Sequence, residues 1–504
     1  MDAGTLGSAQ DLKIAVISGG TATNELVGLF RSLSPNITYI LPILDNGGST
    51  SELIRVIGGP AIGDIRSRLT RLIPSKQEEL RKLLSFRLSS DASEAKTQWN
   101  EIVDGTHPLW AKINSSTKEI LRAFFIHVHV ELLKRSKHQF SMHSNKLFRY
   151  ELANVGNLFL TGVRLFIGSL DSAIELFSRL VGIDPDVEVL PCINTNFTYH
   201  ISALLENGLI ITGQSQISHP SQTDPTIDNY PPPIDKTRPS TPTEDFLRTN
   251  YFGATLNGLH LEIPINEVAI ANTQRSDDHL EKKKSIDSYV SDDSDEESGN
   301  VPQYTHPELK KSQLHFNKTE NIEPLLSPIK RIFYISPYGE EICPTAHNRV
   351  TSSLSNSDVI IYSIGSLMTS IVPVIILKGI GRAIANDICQ FPGYNKRRIL
   401  LLNGCADRET YGMTAKDYIE VIVKSATYSL SGTKGGPSNN TAEPEWNKVV
   451  SHLCYMKDPK IEVDTNFLQN VKNIQCIEVN RVSPQSDYYD LDDLNNKIKQ
   501  MITP

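Results

Sequence analysis

Glycine pairs set beside hydroxyls and carboxylates recur in this sequence just after apolar runs. The first is ISGGTATNEL, residues 17–26, where Gly19 and Gly20 are followed by Thr21 and Thr23. Glycine admits a ligand to the main chain, and backbone N–H groups with nearby hydroxyls suit a phosphate at a strand-to-helix junction. An ordinary tight turn would use the same residues. The second is LDNGGSTSELIR, residues 44–55. There Asp45 and Asn46 precede Gly47 and Gly48, and Ser49 is placed to cap a helix. A carboxylate beside glycine turns suits Mg²⁺ that also touches phosphate oxygens. An Asx-Gly loop with a capping serine is the plainer alternative.

Four further stretches carry polar groups at element boundaries. In GGPAIGDIRSRL (58–69), Asp64 is expected to cap a helix, with Arg66 and Arg68 in its first turn. Cations there oppose the helix dipole, a mild cost that an arginine–phosphate contact would offset; a surface pair with Asp64 is the alternative. In ANVGNLFL (153–160), Asn157 could bond a base or sugar edge, or be a satisfied core asparagine in a closely packed helix. YSIGSLMTSIVP (362–373) repeats the glycine-plus-hydroxyl pattern with Gly365, Ser366, Thr369 and Ser370. NGCADRETYGMT (403–414) sets Asn403, Glu409 and Thr410 in a loop after an apolar run. The chain lacks the G-x-G-x-x-G fingerprint and the P-loop lysine. Its six cysteines show no zinc-like spacing, and Cys405 has no neighbouring histidine. His127 and His129 alternate in an apolar helix and read as structural.

The elements that must position these residues follow from the apolar runs. LKIAVIS (12–18), ITYILPIL (37–44), EVLPCI (188–193), KRIFYISP (330–337), DVIIYSIG (358–365), RRILLLNG (397–404) and CIEVN (476–480) read as strands, most of them covered on both faces. TYHISALL (198–205) and LIITGQSQI (209–217) read as two more strands around an Asn207-Gly208 turn. Residues 69–150 are rich in helical patterns, KEILRAFFIHVHVELLKR (118–135) being strongly apolar. Helices are also expected over 151–166, 173–182, 371–387 and 414–427, the last with Thr414 as N-cap. This alternation predicts an α/β fold: one doubly wound, mostly parallel Rossmann-like sheet with helices on both faces, a helical insertion and two disordered insertions. The expected layout is a single domain over 12–430, interrupted at 218–245 and 271–323, with 431–504 as an extension packed on it. Both insertions are poor in large apolar residues.

A formal charge of −8, five negative charges of it in SDDSDEE (291–297), argues against a nucleic-acid partner. Ser291 and Ser294 precede acidic residues and suit a kinase. The N-terminal MDAGTLGSAQDLK has no apolar signal region, and the longest apolar stretch, IVPVIIL (371–377), is too short to span a membrane. Scattered thiols fit a reducing compartment. A cytoplasmic protein without membrane association is expected, and a homo-oligomer is compatible with the sequence.

Taken in order, the blocks IAVISGGTATNELVGLF, PILDNGGSTSELIR, GPAIGDIRSRL, NVGNLFLTG, VLPCI, IIYSIGSLMTSIVPVIILKGI and LLNGCADRETYGMTAKDYIEVI resemble the family of 2-phospho-L-lactate transferase (CofD) and the bacterial gluconeogenesis factor (YvcK). They cover most of 12–217 and 331–427. D-N-G-G-S, G-D-I-R and V-G-N-L are more similar to the gluconeogenesis-factor branch. Three residues depart from the family pattern. Asn46 stands for a second aspartate, which removes a charge from any metal site. Ala22 replaces a glycine, and Ile364 replaces the proline of G-P-G-S-L.

The resemblance implies a nucleotide diphosphate or nucleotide-sugar ligand at the carboxyl edge of the sheet. The transferase branch uses Mg²⁺ to move a phospholactyl group from a guanosine diphospho-precursor to a deazaflavin alcohol. That would make Asp45 and Asp64 the metal-holding and catalytic residues. The other branch implies a UDP-sugar-binding regulator of carbon metabolism without chemistry. On either branch Gly19, Gly20, Thr21, Asn46, Gly47, Gly48, Ser49, Arg66, Asn157, Gly365, Ser366, Thr369, Ser370, Asn403, Glu409 and Thr410 would surround the ligand.

Overall fold

Seven short strands with apolar side chains on both faces form the centre of the computed structural model. It describes residues 12–44, 49–137, 147–218, 324–390, 393–431 and 443–503. The candidates Asp45, Asn46, Gly47 and Gly48, the two insertions beyond Ser218, and the sites Ser291 and Ser294 lie outside the described residues.

The strands are β1 (Ile14–Ile17), β2 (Ile37–Leu41), β3 (Val187–Pro191), β8 (Val359–Tyr362), β9 (Arg397–Leu401), β10 (His452–Met456) and β11 (Gln475–Val479). All neighbours run parallel, in the order β11-β10-β9-β8-β1-β2-β3. Every residue of β1 and β8 is buried, as expected where helices cover both faces. The chain winds outward from β1 through β2 to β3, returns beside β1 as β8, and winds the other way to β11. The order therefore reverses between β1 and β8, and the strand ends splay a crevice there. The strand His452–Met456 has no counterpart among the sequence expectations, and the last two strands lie in the stretch expected to be an extension.

Helix α1 (Val27–Leu33) joins β1 to β2, and between β2 and β3 the chain inserts α2 (Ser49–Val56), α3 (Gly63–Leu72), α4 (Glu78–Ser85), α5 (Ala92–Asp104), α6 (Ser115–Lys137), α7 (Val155–Ile167) and α8 (Leu170–Val181). Their starts and stops follow local chemistry. Asp91 accepts from Glu94 N and Asn154 from Gly156 N, while Gly105 and Gly168 close α5 and α7 in the left-handed conformation. Rings fill the space between these helices: Trp99 lies 5.7 Å from Phe125, and Phe125 lies 5.6 Å from Phe159. His129 accepts from Trp99 Nε1 at 2.9 Å, which is a structural role.

KRIFYISP differs from expectation. It forms β6 (Ile329–Ile335), which joins β4 (His200–Leu205), β5 (Ile210–Thr212) and β7 (Glu341–Ile342) in a separate antiparallel sheet, ordered β5-β4-β6-β7. An apolar run marks a buried strand but does not name its partner. LIITGQSQI is also not one strand. Gly213 takes φ +91° and the chain turns into the short helix α9, Gln214–Ser218. Among the described residues no helix is long and apolar enough to cross a membrane.

Candidate functional site

The first glycine turn leaves the end of β1. Gly19 and Gly20 are buried, and neither has positive φ. Their glycine identity is a matter of space. A Cβ on Gly19 would stand 2.6 Å from Ser370 Oγ, and one on Gly20 would stand 2.8 Å from Asp64 Cγ. Behind the turn lies Arg68, wholly buried. Its guanidinium donates to Gly19 O at 3.1 Å and to Thr23 O at 3.3 Å, and stacks 4.7 Å from the Tyr39 ring. Burial lowers its pKa to about 10. The chain then enters a 3₁₀ turn, Ala22–Leu26, before the helix Val27–Leu33. Thr23 Oγ1 lies 3.0 Å from both Ser363 Oγ and Ile364 O, which ties the turn to the end of β8.

The loop after β8 is the second wall. Gly365 takes φ +131°, a conformation that favours glycine. Asn403 holds both of its backbone groups, accepting from Gly365 N at 3.0 Å and donating to Gly365 O at 2.8 Å. Ser366 then caps a π-helical turn, Leu367–Ile371, accepting from Thr369 N at 3.0 Å. Such turns gather at functional sites.

Glu409 reaches this wall from the loop after β9. It is 5% exposed and accepts from Thr369 Oγ1 at 2.9 Å and from the hydroxyls of Ser366 and Ser218. Ser218 belongs to α9, whose Gln214 and Ser215 also line the cleft. Burial, with the charge of Asp407 nearby, pushes the Glu409 carboxyl up to about 7 despite the hydroxyl bonds.

These pieces enclose a cleft of about 450 Å³ lined by Gly19, Gly20, Thr21, Asp64, Gly365, Ser366, Thr369, Ser370 and Glu409. Sequence positions up to 390 residues apart thus meet at the reversal point of the sheet. Gln214, Ser215, Ser218, Asp407 and Arg408 also line it. Gly213 is the sequence signal that marks the turn into α9. Arg68, beneath the floor, carries no sequence signal separating it from Arg66.

The remaining candidates among the described residues lie outside the lining. Thr410 Oγ1 donates to Asp407 Oδ1 at 2.7 Å, and Asn403 is spent on Gly365. Asn157 donates to Ser49 Oγ at 2.6 Å and accepts from Arg66 Nε at 3.0 Å, so this trio anchors the start of α2. Asp64 is not the helix cap. The helix starts at Gly63 with Ile62 as N-cap, and Asp64 sits in the first turn beside Gly20.

Of the two residues expected to hold Mg²⁺, Asp64 is described and its carboxylate lines the cleft. Mg²⁺ takes one or two carboxylates together with phosphate oxygens and water, so this donor fits. Among the described residues no three His, Cys, Asp or Glu side chains gather closely enough to hold a metal by themselves.

Comparison with known proteins agrees with this architecture. The chain is 41% identical over 497 residues to Uncharacterized protein YNL011C of Saccharomyces cerevisiae, covering 97% of this chain and 99% of that one. A "Putative gluconeogenesis factor" of Thermotoga maritima is 31% identical over 113 residues, 22% of this chain and 34% of that protein. Among solved structures, protein BH3568 of Bacillus halodurans, a member of the UPF0052 family, superposes with a TM-score of 0.51 at 17% identity, covering 97% of this chain and 99% of its own, a likeness of fold. The family model "2-phospho-L-lactate transferase CofD" matches residues 14–442, and the chain belongs to that family.

Proposed function

We propose that the cleft binds a nucleotide diphosphate or nucleotide sugar, with its phosphates against the Gly19–Gly20–Thr21 turn. One observation supports this most. Two loops that each set glycine beside hydroxyls leave the adjacent parallel strands β1 and β8, where the strand order reverses and ligands of open α/β sheets bind. On the catalytic reading the chain is a transferase of a substituted phosphoryl group. An acceptor hydroxyl oxygen bonds to the phosphorus remote from the nucleoside. The bond from that phosphorus to the nucleoside monophosphate breaks, and the hydroxyl proton passes to a base. Mg²⁺, when bound, would neutralise charge on the diphosphate, and Asp64 with Asp45 would hold it. The turn itself fixes the phosphates, and Arg68 holds the carbonyl of Gly19 away from them.

A second reading, a nucleotide-sugar-binding regulator, is favoured by Asn46 in place of an acidic residue and by the short matches to gluconeogenesis factors. Calorimetry with GDP, UDP and UDP-glucose, with and without Mg²⁺, tests the common part, and an assay for released nucleoside monophosphate separates the two. Release on adding an acceptor favours the transferase, and binding without release favours the regulator. A chain that binds none of the three refutes both.

A further inference from the structure

We infer that Glu409, Ser218, Ser366 and Thr369 form a proton-sharing cluster in the cleft wall, and that a diphosphate-bearing ligand binds with uptake of a proton by that cluster. The inference rests on the proposed ligand class and adds to it a linkage that neither function requires.

The geometry is short of hydrogens. Glu409 contacts the hydroxyls of Ser218, Ser366 and Thr369, Ser366 Oγ lies 2.6 Å from Thr369 Oγ1, and Ser218 Oγ lies 3.0 Å from Thr369 Oγ1. Three hydroxyl hydrogens therefore serve five oxygen–oxygen contacts. With Glu409 ionised, all three point at the carboxylate, and the two hydroxyl–hydroxyl contacts hold oxygen against oxygen with no hydrogen between them. A proton on Glu409 changes the pattern. The acid donates to Ser366, Ser366 donates to Thr369, and Thr369 and Ser218 donate to the other carboxyl oxygen. Only the 3.0 Å contact is then left without a hydrogen of its own.

The surroundings favour the same state. From its own loop Glu409 meets Asp407 and Arg408, and across the cleft stands Asp64. The 366–371 turn and α9 contribute hydroxyls and Gln214 but no charge. On its other side Glu409 lines a second cavity with Glu206, Lys330, Asp417, Glu420 and Lys424, where both signs are present. Burial already lifts the carboxyl above its ordinary range. A diphosphate adds negative charge to the same cleft and disfavours the carboxylate further. By reciprocity, protonation must then strengthen ligand binding.

The test is calorimetry of the full chain with UDP-glucose and GDP-mannose, diphosphate diesters that do not themselves titrate near neutrality. Titrations run without Mg²⁺, which would neutralise the added charge, in buffers of differing ionisation enthalpy. Wild type is expected to take up as much as one proton at about pH 8, with affinity falling by up to about tenfold per pH unit above the midpoint. Uptake is expected to vanish near about pH 5.5, where the cluster is already protonated, a check that needs no variant. Glu409→Gln, neutral at all pH, should bind without the uptake. No uptake by wild type at the higher pH, or unchanged uptake in Glu409→Gln, overturns the linkage while leaving the ligand class intact. Failure of both sugars to bind overturns the linkage, and failure of GDP and UDP as well overturns the ligand class. A carboxylic-acid C=O infrared band in the ligand-free protein, lost in Glu409→Gln, still decides whether the cluster holds the proton.

Discussion

The Asp64 carboxyl group fills the space where a side chain on Gly20 would begin: its Cγ lies 2.8 Å, and its Cα 3.0 Å, from the place a Cβ would take. Alanine at position 20 must push the start of α3 away from the β1 turn, because backbone as well as side chain is in the way. Gly20→Ala is expected to cost about 1–3 kcal/mol as overpacking and to weaken nucleotide binding, since Asp64 moves with the helix. Gly19→Ala meets side-chain atoms alone, Ser370 Oγ at 2.6 Å, which can rotate away, Ser370 Cβ at 3.1 Å and Asp64 Oδ2 at 3.8 Å, and should be milder on both counts. Urea denaturation and calorimetry on the two variants check this order, and equal losses would refute it.

Gly365 and Asn403 form a second such pair. The backbone at +131° excludes an ordinary side chain, and both polar atoms of Asn403 are committed to the Gly365 peptide groups. Gly365→Ala should cost about 1–3 kcal/mol through backbone strain. Asn403→Ala removes two hydrogen bonds and is expected to cost about 1–3 kcal/mol. In the double variant the losses should fall short of additive, because both disturb one loop. Full additivity in a double-mutant cycle would show that the clamp and the conformation are independent.

Much of this architecture is readable from apolar runs, because a strand covered on both faces has no polar alternation to blur it. LKIAVIS and RRILLLNG locate β1 and β9 to within a few residues. The same signal is blind to partnership, so KRIFYISP looks like a member of the parallel sheet and is found in the antiparallel one. The glycine turns are readable because residue type and position after a strand coincide. What each side chain touches is not. In sequence Asn157 fits a ligand-binding amide and a satisfied core asparagine equally, and Asn403 is placed only in a loop after a strand; the partners found are Ser49 and Arg66 for the first and Gly365 for the second. Those contacts depend on packing between segments distant in the chain, which no local pattern encodes.

Arg68 extends the same lesson to stability. Its guanidinium is fully buried and serves the carbonyls of Gly19 and Thr23. Arg68→Met keeps most of the volume but leaves these oxygens without that donor, at a cost of about 1–3 kcal/mol for a buried unsatisfied group. The glycine turn should loosen with it. Amide hydrogen exchange at Ser18 and Asn24, whose N–H groups donate to Ile40 O and Thr21 O on either side of the turn, is expected to quicken more than exchange in the distant strand β11. Uniform quickening across the sheet would mean that Arg68 supports the whole fold and not the turn.

Stability against pH separates two buried groups of opposite sign. The Glu409 carboxyl rises from 4.5 to about 7 through burial. In that window the folded chain keeps a proton that the unfolded chain releases, so its contribution to stability falls as pH rises from 4.5 to about 7 and is level above. His200 behaves oppositely: burial lowers its pKa from 6.5 to about 4. The unfolded chain gains a proton below 6.5 that the folded chain refuses, so stability is lost as pH falls from 6.5 toward about 4. His452, lowered to about 4 chiefly by burial, adds to the same acid loss. In wild type these slopes partly cancel. Glu409→Gln removes only the first, so its stability relative to wild type should climb between pH 4.5 and about 7 and then stay constant. Urea melts of both proteins across that range measure the difference directly, and a flat difference would mean that Glu409 titrates as an ordinary carboxylate.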